Sequence, residues 1–164
     1  MDDQEGATHN EIMLAACRND QDDLLKEMLN SDDVDYNFVD GIGDGALHYA
    51  AKYGSLSCLE LLVTLKAIDL NMRDRIDQDT PLHKAVQYKE DYDIAIAMVD
   101  QLLEAGADPR IENKAKMTPP MLVDPKDEDM KELFDQAMAA YEVDDSDIAD
   151  EEYPEDIDDD QFSE

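Results

Sequence analysis

A seven-residue segment recurs thirty-five positions further along the chain. Gly45-Ala46-Leu47-His48-Tyr49-Ala50-Ala51 returns as Thr80-Pro81-Leu82-His83-Lys84-Ala85-Val86, and a degraded third copy starts at Thr118-Pro119. A fixed period of this length restricts the architecture to stacked, similar units, each burying its apolar face on its neighbours. Such a stack offers a surface to a partner rather than an enclosed pocket for chemistry.

Apolar spacing resolves each unit into a helix pair. Ile12, Met13, Ala16 and Cys17 mark the first helix, with Asn10 as the expected N-cap, and Leu24, Leu25, Met28 and Leu29 mark the second. Gly41, Gly43 and Gly45 are read as supplying positive φ for tight turns ahead of the next pair. In that pair Leu47, Ala50 and Ala51 pack on one side and Leu56, Leu59, Leu62 and Val63 on the other. Thr80-Pro81 restarts a helix with a cap and a favoured first-turn proline. Measured from Gly45 and Thr80 to the Leu62-Val63 and Leu102-Leu103 exits, the third unit carries five extra residues within the Tyr88–Ala95 region. Pro119, Pro120 and Pro125 leave little room for a first helix in the fourth unit, whose second helix runs from Asp127 to about Tyr141. The reading is an all-α solenoid over 10–142, with units at about 11–39, 40–74, 75–113 and 114–142. A flexible stretch, 1–9, precedes it, and a disordered acidic tail, 143–164, follows.

Charge narrows the choice of partner. Forty-four acidic residues stand against thirteen basic ones, a formal net charge of −31. That field repels nucleic acid and anionic membrane, attracts basic proteins, and keeps a chain soluble and monomeric. The tail holds twelve acidic residues and no basic one: Asp144, Asp145, Asp147, Asp150, Glu151, Glu152, Glu155, Asp156, Asp158, Asp159, Asp160 and Glu164. Ile148, Tyr153, Ile157 and Phe162 are spaced through it, as in segments that order on a partner. Ser146 lies in an acidophilic-kinase-like context, where a phosphate would add to the same charge. The polar start Met1-Asp2-Asp3-Gln4-Glu5 is unlike a signal peptide, and two cysteines, Cys17 and Cys58, suit core positions in a reducing compartment. A cytoplasmic location is expected, with the nucleus open to a chain of this size.

Asp40 to Gly54 and Thr80-Pro81-Leu82-His83, followed by Leu102-Leu103-Glu104-Ala105-Gly106-Ala107-Asp108, resemble the ankyrin-repeat family. The chain is similar to small fungal ankyrin-repeat proteins with an acidic C-terminal tail, some of which escort a basic ribosomal protein. The resemblance implies stacked helix pairs with hairpin fingers projecting to one side, and a turn-stabilising hydrogen bond for each of His48 and His83.

Two chemical alternatives fail on spacing. His48 and His83 lack a third ligand at matching intervals. Asp33-x-Asp35-x-Asn37 opens like an EF-hand loop, but Phe38 stands where that loop needs glycine. No catalytic or metal residue and no cofactor is assigned. The candidate binding residues are a concave strip of carboxylates and tyrosines: Asp40, Asp44, Asp74, Asp77 and Asp79 along the finger edge. Tyr49, Lys52, Tyr53, Lys84, Gln87 and Tyr88 continue it on the first helices. The reading is a non-catalytic protein that holds and masks a basic client, its tail covering cationic surface. The alternative is a scaffold or regulatory subunit that takes an extended peptide on the strip, the tail being only solubilising.

Overall fold

A computed structural model describes the backbone of residues 7–152 and the side chains of residues 7–141. Its helices are α1 (His9–Arg18), α2 (Asp22–Leu29), α3 (Ala46–Tyr53), α4 (Leu56–Leu62), α5 (Pro81–Val86), α6 (Tyr92–Ala105) and α7 (Glu128–Glu152), with a 3-10 turn at Pro119–Leu122 before α7. Helix α1 packs on α3, α3 on α5, and α5 on the 3-10 turn, which makes an inner layer. Helices α2, α4, α6 and α7 follow one another as the outer layer. The core lies between them. Met13, Leu25, Leu59, Leu62, Leu82 and Met98 are fully buried and join successive units.

Local chemistry sets the element ends. Helix α1 starts one residue before Asn10, capped by Thr8: the Thr8 hydroxyl accepts from Glu11 N at 3.1 Å and the Glu11 carboxylate accepts from Thr8 N at 3.0 Å. This reciprocal box stabilises more than the expected Asn10 cap, and Asn10 instead accepts from Asp35 N at 2.7 Å. Thr80 caps α5 with Pro81 in its first turn. Gly45 caps α3 with no side-chain bond, the consequence of lacking a hydroxyl. The prolines of the fourth unit reduce its first helix to Pro119–Leu122. The extra residues of the third unit make the link at 87–91 and a 14-residue α6, twice the length of α4.

Only one of the three expected turn glycines is used for its left-handed conformation. Gly43 has φ +85°, whereas Gly45 is extended at φ −102°. Helix α7 runs past Tyr141 to Glu152, so its backbone takes in the first ten residues of the segment read as tail. Ala139 and Ala140 are strong helix formers, and the Arg110 guanidinium lies 3.9 Å from the Tyr141 ring centroid, holding the helix to the body at that point. Residues 153–164 lie outside the described residues. Among the described residues no helix is long and apolar enough to cross a membrane.

Candidate functional site

Three fingers of matched build project ahead of the inner helices, at 40–45, 74–80 and 113–118. Each opens on a side chain that accepts backbone N–H groups across the loop. Asp40 accepts from Ile42 and Asp44 at 3.1 and 3.0 Å, Asp74 from Asp77 and Asp79 at 3.1 Å each, and Asn113 from Ala115 and Met117 at 2.9 and 3.1 Å. Each closes with a backbone bond from the opening N–H to the carbonyl ahead of the cap: Asp40 to Asp44, Asp74 to Asp79, and Asn113 to Met117. The residue two before the cap is left-handed every time, at Gly43, Gln78 and Lys116. Neighbouring fingers are joined by Arg75 N to Ile42 O at 3.0 Å and Lys114 N to Asp77 O at 2.8 Å. A Cβ on Gly43 would meet Arg75 N at 2.7 Å, so that contact requires glycine.

The two histidines tie the stack together. His48 Nδ1 accepts from its own cap, Gly45 N, at 3.1 Å, and Nε2 lies 2.9 Å from Asp79 O in the next finger. His83 repeats this with Thr80 N at 3.0 Å and Met117 O at 2.8 Å. A carbonyl only accepts, so in both rings Nε2 carries the proton and Nδ1 is bare. Burial pushes the His83 pKa down, which preserves that neutral form. A second ladder runs at the base of the fingers: Asp35-x-Asn37, Asp69-x-Asn71 and Asp108-x-Arg110 each close the same local turn. Asn37 reaches Ala67 O and Asp69 N, both at 2.8 Å, and Asn71 accepts from Asp108 N at 2.8 Å. The calcium-like spacing around Asp33 is a rung of this ladder, with Asp33 bonded to His9 and Ser31.

The expected row of finger carboxylates does not face outward. Asp44, Asp74 and Asp79 are buried; of the five, Asp77 alone is exposed. Lys84 Nζ sits 3.0 Å from Asp74 Oδ2 and 3.5 Å from Asp79 Oδ2. Burial would raise Asp74, but Lys84 and the two accepted N–H groups hold its carboxyl below the usual range. Burial likewise works against charged Lys84, and its carboxylate neighbours raise its pKa overall. Half-buried Asp40 accepts from the Tyr49 hydroxyl. Burial, followed by Asp40, pushes that phenol up.

Asp44 is the unpaired member. It is 3% exposed, and no hydrogen bond reaches its Oδ1 among the described residues. The reason appears one finger further on. Asn113 Nδ2 donates to Asp79 Oδ1 at 2.9 Å, but the residue placed to do this for Asp44 is Asp74, which has no hydrogen to give. Burial raises the Asp44 carboxyl; His48 and Lys84 oppose this, and Asp74 and Asp40 reinforce it.

The helix residues of the strip divide. Tyr49 and Tyr53 stack at 6.2 Å between centroids, and Lys52 Nζ lies 5.7 Å from the Tyr53 ring. This cluster is open to a partner at Tyr53 and Lys52. Gln87 is exposed and donates to His83 O at 3.0 Å. Tyr88 instead covers Gly54, where a Cβ would fall 2.3 Å from the ring. Ser146 and the tail carboxylates from Asp144 to Asp160 have side chains outside the described residues.

Two features had no clear sequence signal. Ile42 and Ile76 are 43% and 56% exposed at the finger tips. The exposed charge is also partitioned. Over 71–79 and 111–117 the exposed acids are Asp77 and Glu112, against Arg73, Arg75, Lys114 and Lys116. At the opposite end of the third and fourth units, 88–93 and 121–131 carry seven carboxylates against three lysines.

A sequence model described as ankyrin repeats (3 copies) matches residues 12–113. An ankyrin repeat-containing protein of Saccharomyces cerevisiae is 32% identical over 146 residues, 83% of this chain and 80% of the yeast protein. The human ankyrin repeat domain-containing protein 53 is 34% identical over 70 residues, 43% of this chain and 13% of the human one. A transient receptor potential cation channel subfamily A member 1 homolog of Caenorhabditis elegans is 32% identical over 90 residues, 55% of this chain and 7% of that protein.

Proposed function

This chain belongs to the ankyrin-repeat family, stacked units that serve as protein-protein interaction modules, and from that premise we propose that it is a non-catalytic factor that holds and shields a basic protein client. The observation that carries the reading is the charge partition. The buried carboxylates of Asp74 and Asp79 are occupied by Lys84, Asn113 and backbone N–H groups, and Asp44 is buried beneath the surface, so the fingers present little carboxylate to a cation. On the third and fourth units the outward acid lies on the helical edge formed by the start of α6 and the start of α7, and the sequence of the tail adds twelve carboxylates with no basic residue. A tail tethered beside a held client acts at mM effective concentration, so weak contacts suffice. The resulting affinity falls steeply with salt and association is electrostatically steered. Affinity purification of the full chain at low and high salt tests this. A basic direct partner released by salt supports it; neutral or acidic partners that resist salt overturn it.

Ile42, Ile76 and Tyr53 favour a second reading, an extended peptide laid along the fingers and the inner helices. In that case Tyr53→Ala abolishes binding and removal of 153–164 leaves it unchanged.

A further inference from the structure

At the end of α5 farthest from the fingers, the longer third unit meets the shortened fourth, and a cavity opens between them. Its apolar lining is Val86, Tyr88, Ala95, Leu122, Val123 and Met130, and its volume is about 130 Å³. Small-molecule sites run to roughly 300–1,000 Å³, so this one is too small for a cofactor. An apolar cavity of about 150 Å³ accepts a benzene ring, and the present one is of the size that takes a single aliphatic side chain. The units themselves explain its presence. The link at 87–91 holds the start of α6 away from α5, and the prolines replace the helix that would otherwise fill the space with a short 3-10 turn.

The mouth is acidic. Asp124 and Asp127 line it beside Lys89, and Asp91, Asp93, Glu128 and Asp129 flank it in sequence. Tyr92, at the rim, donates its hydroxyl to Asp127 at 2.5 Å. That bond and the surrounding carboxylates push the phenol up to about 12, so it stays a neutral donor. Tyr92, an exposed large side chain, lines this opening, and exposed Met121 directly precedes the lining residue Leu122 in sequence. An apolar recess ringed by negative charge, with exposed apolar groups at its margin, has the anatomy of an anchor pocket.

We propose that this pocket is the anchor point for the basic client: one aliphatic side chain, leucine or methionine, enters the recess while flanking lysines or arginines lie on the carboxylates around its mouth. The proposal rests on the basic-client reading and adds where, and by what segment, the client is gripped. The site faces away from the fingers and owes its existence to the extra residues and prolines peculiar to the third and fourth units.

The test uses the full chain and a fluorescein-labelled nine-residue peptide of alternating lysine and arginine with one central leucine, against the same peptide with central alanine. Binding is read by anisotropy at low salt. The leucine peptide is expected to bind about tenfold more tightly, as burial of one aliphatic side chain implies. Filling the recess by Val123→Phe is expected to erase the difference between the two peptides. Methyl NMR shifts on adding the leucine peptide are expected at Val86, Leu122 and Met130; this readout needs no variant to fold. Equal, salt-sensitive binding of both peptides, or shifts centred on Ile42 and Ile76, would overturn the pocket and leave a basic client standing. Binding of neither peptide, with no shifts, would overturn both.

Discussion

Replacing Asp44 by asparagine is expected to stabilise the protein at neutral pH. The buried Oδ1 has no hydrogen-bond donor, and the carboxylates of Asp74 and Asp40 act on it. An unsatisfied buried acceptor costs about 1–3 kcal/mol, more when charged. Asparagine keeps the shape, removes the charge, and offers an N–H₂ toward its carboxylate neighbours. It gives up the attraction that His48 and Lys84 exert on the ionised form. We therefore expect a net gain of about 1–2 kcal/mol at pH 7, which for a domain of this size raises Tm by about 3–8 °C. The pH dependence distinguishes this from a packing effect. The folded-state pKa of Asp44 lies above its ordinary 3.8, so the native state binds the proton more tightly than the unfolded chain does. The wild type accordingly loses stability from this group as pH rises through and above 3.8. The advantage of Asp44→Asn should be present at pH 7 and fade as pH falls below the ordinary value, where both states of the wild type are protonated. Thermal melts of both proteins across that range decide it. A variant less stable than wild type at pH 7, or a difference that does not change with pH, would refute the reasoning.

Lys84→Met leaves Asp74 and Asp79 buried without their cation. We expect a loss of about 3–5 kcal/mol at pH 7, shrinking in acid as Asp74 takes up a proton, measurable by denaturant titration at two pH values. Gly54→Ala puts a Cβ at φ +71° against the Tyr88 ring and should cost about 1–3 kcal/mol, read as a lowered Tm with the helical circular dichroism retained. Thr8→Ala removes the hydroxyl half of the box on α1 and should cost about 1 kcal/mol, with faster amide exchange at Glu11.

The units, the two histidines and the proline-truncated fourth repeat were legible because each depends on local, recurring chemistry. The bond of each histidine to its own turn was implied by the ankyrin resemblance, whereas the second bond, from Nε2 to the next finger, came only with the stacking. The orientation of the finger carboxylates was not legible, because Asp74 and Asp79 are satisfied by Lys84, on the following helix, and Asp79 also by Asn113, thirty-four residues away. Acidic residues at a loop read as solvent-facing until the cation that turns them inward is located. The Thr8 cap did carry a signal, since Thr8-His9-Asn10-Glu11 is a capping box in plain sequence, and the apolar periodicity beginning at Ile12 drew attention past it. The length of α7 was obscured in the opposite way. The rise in acidic composition after Val143 reads as the end of the folded body, whereas the helical backbone continues to Glu152, beyond the Arg110–Tyr141 contact. The pocket near Met130 could not be read at all, since it depends on how far an insertion and a missing helix hold two units apart.

Lysine-reactive cross-linking of the full chain to its purified client tests the central claim most directly, because the two candidate faces carry different lysines. The account predicts a basic partner joined through Lys89, Lys126 and Lys131, at the edge formed by α6 and α7, with yield falling as salt is raised. Cross-links confined to Lys114 and Lys116 on the last finger, or a partner without excess positive charge, would contradict it.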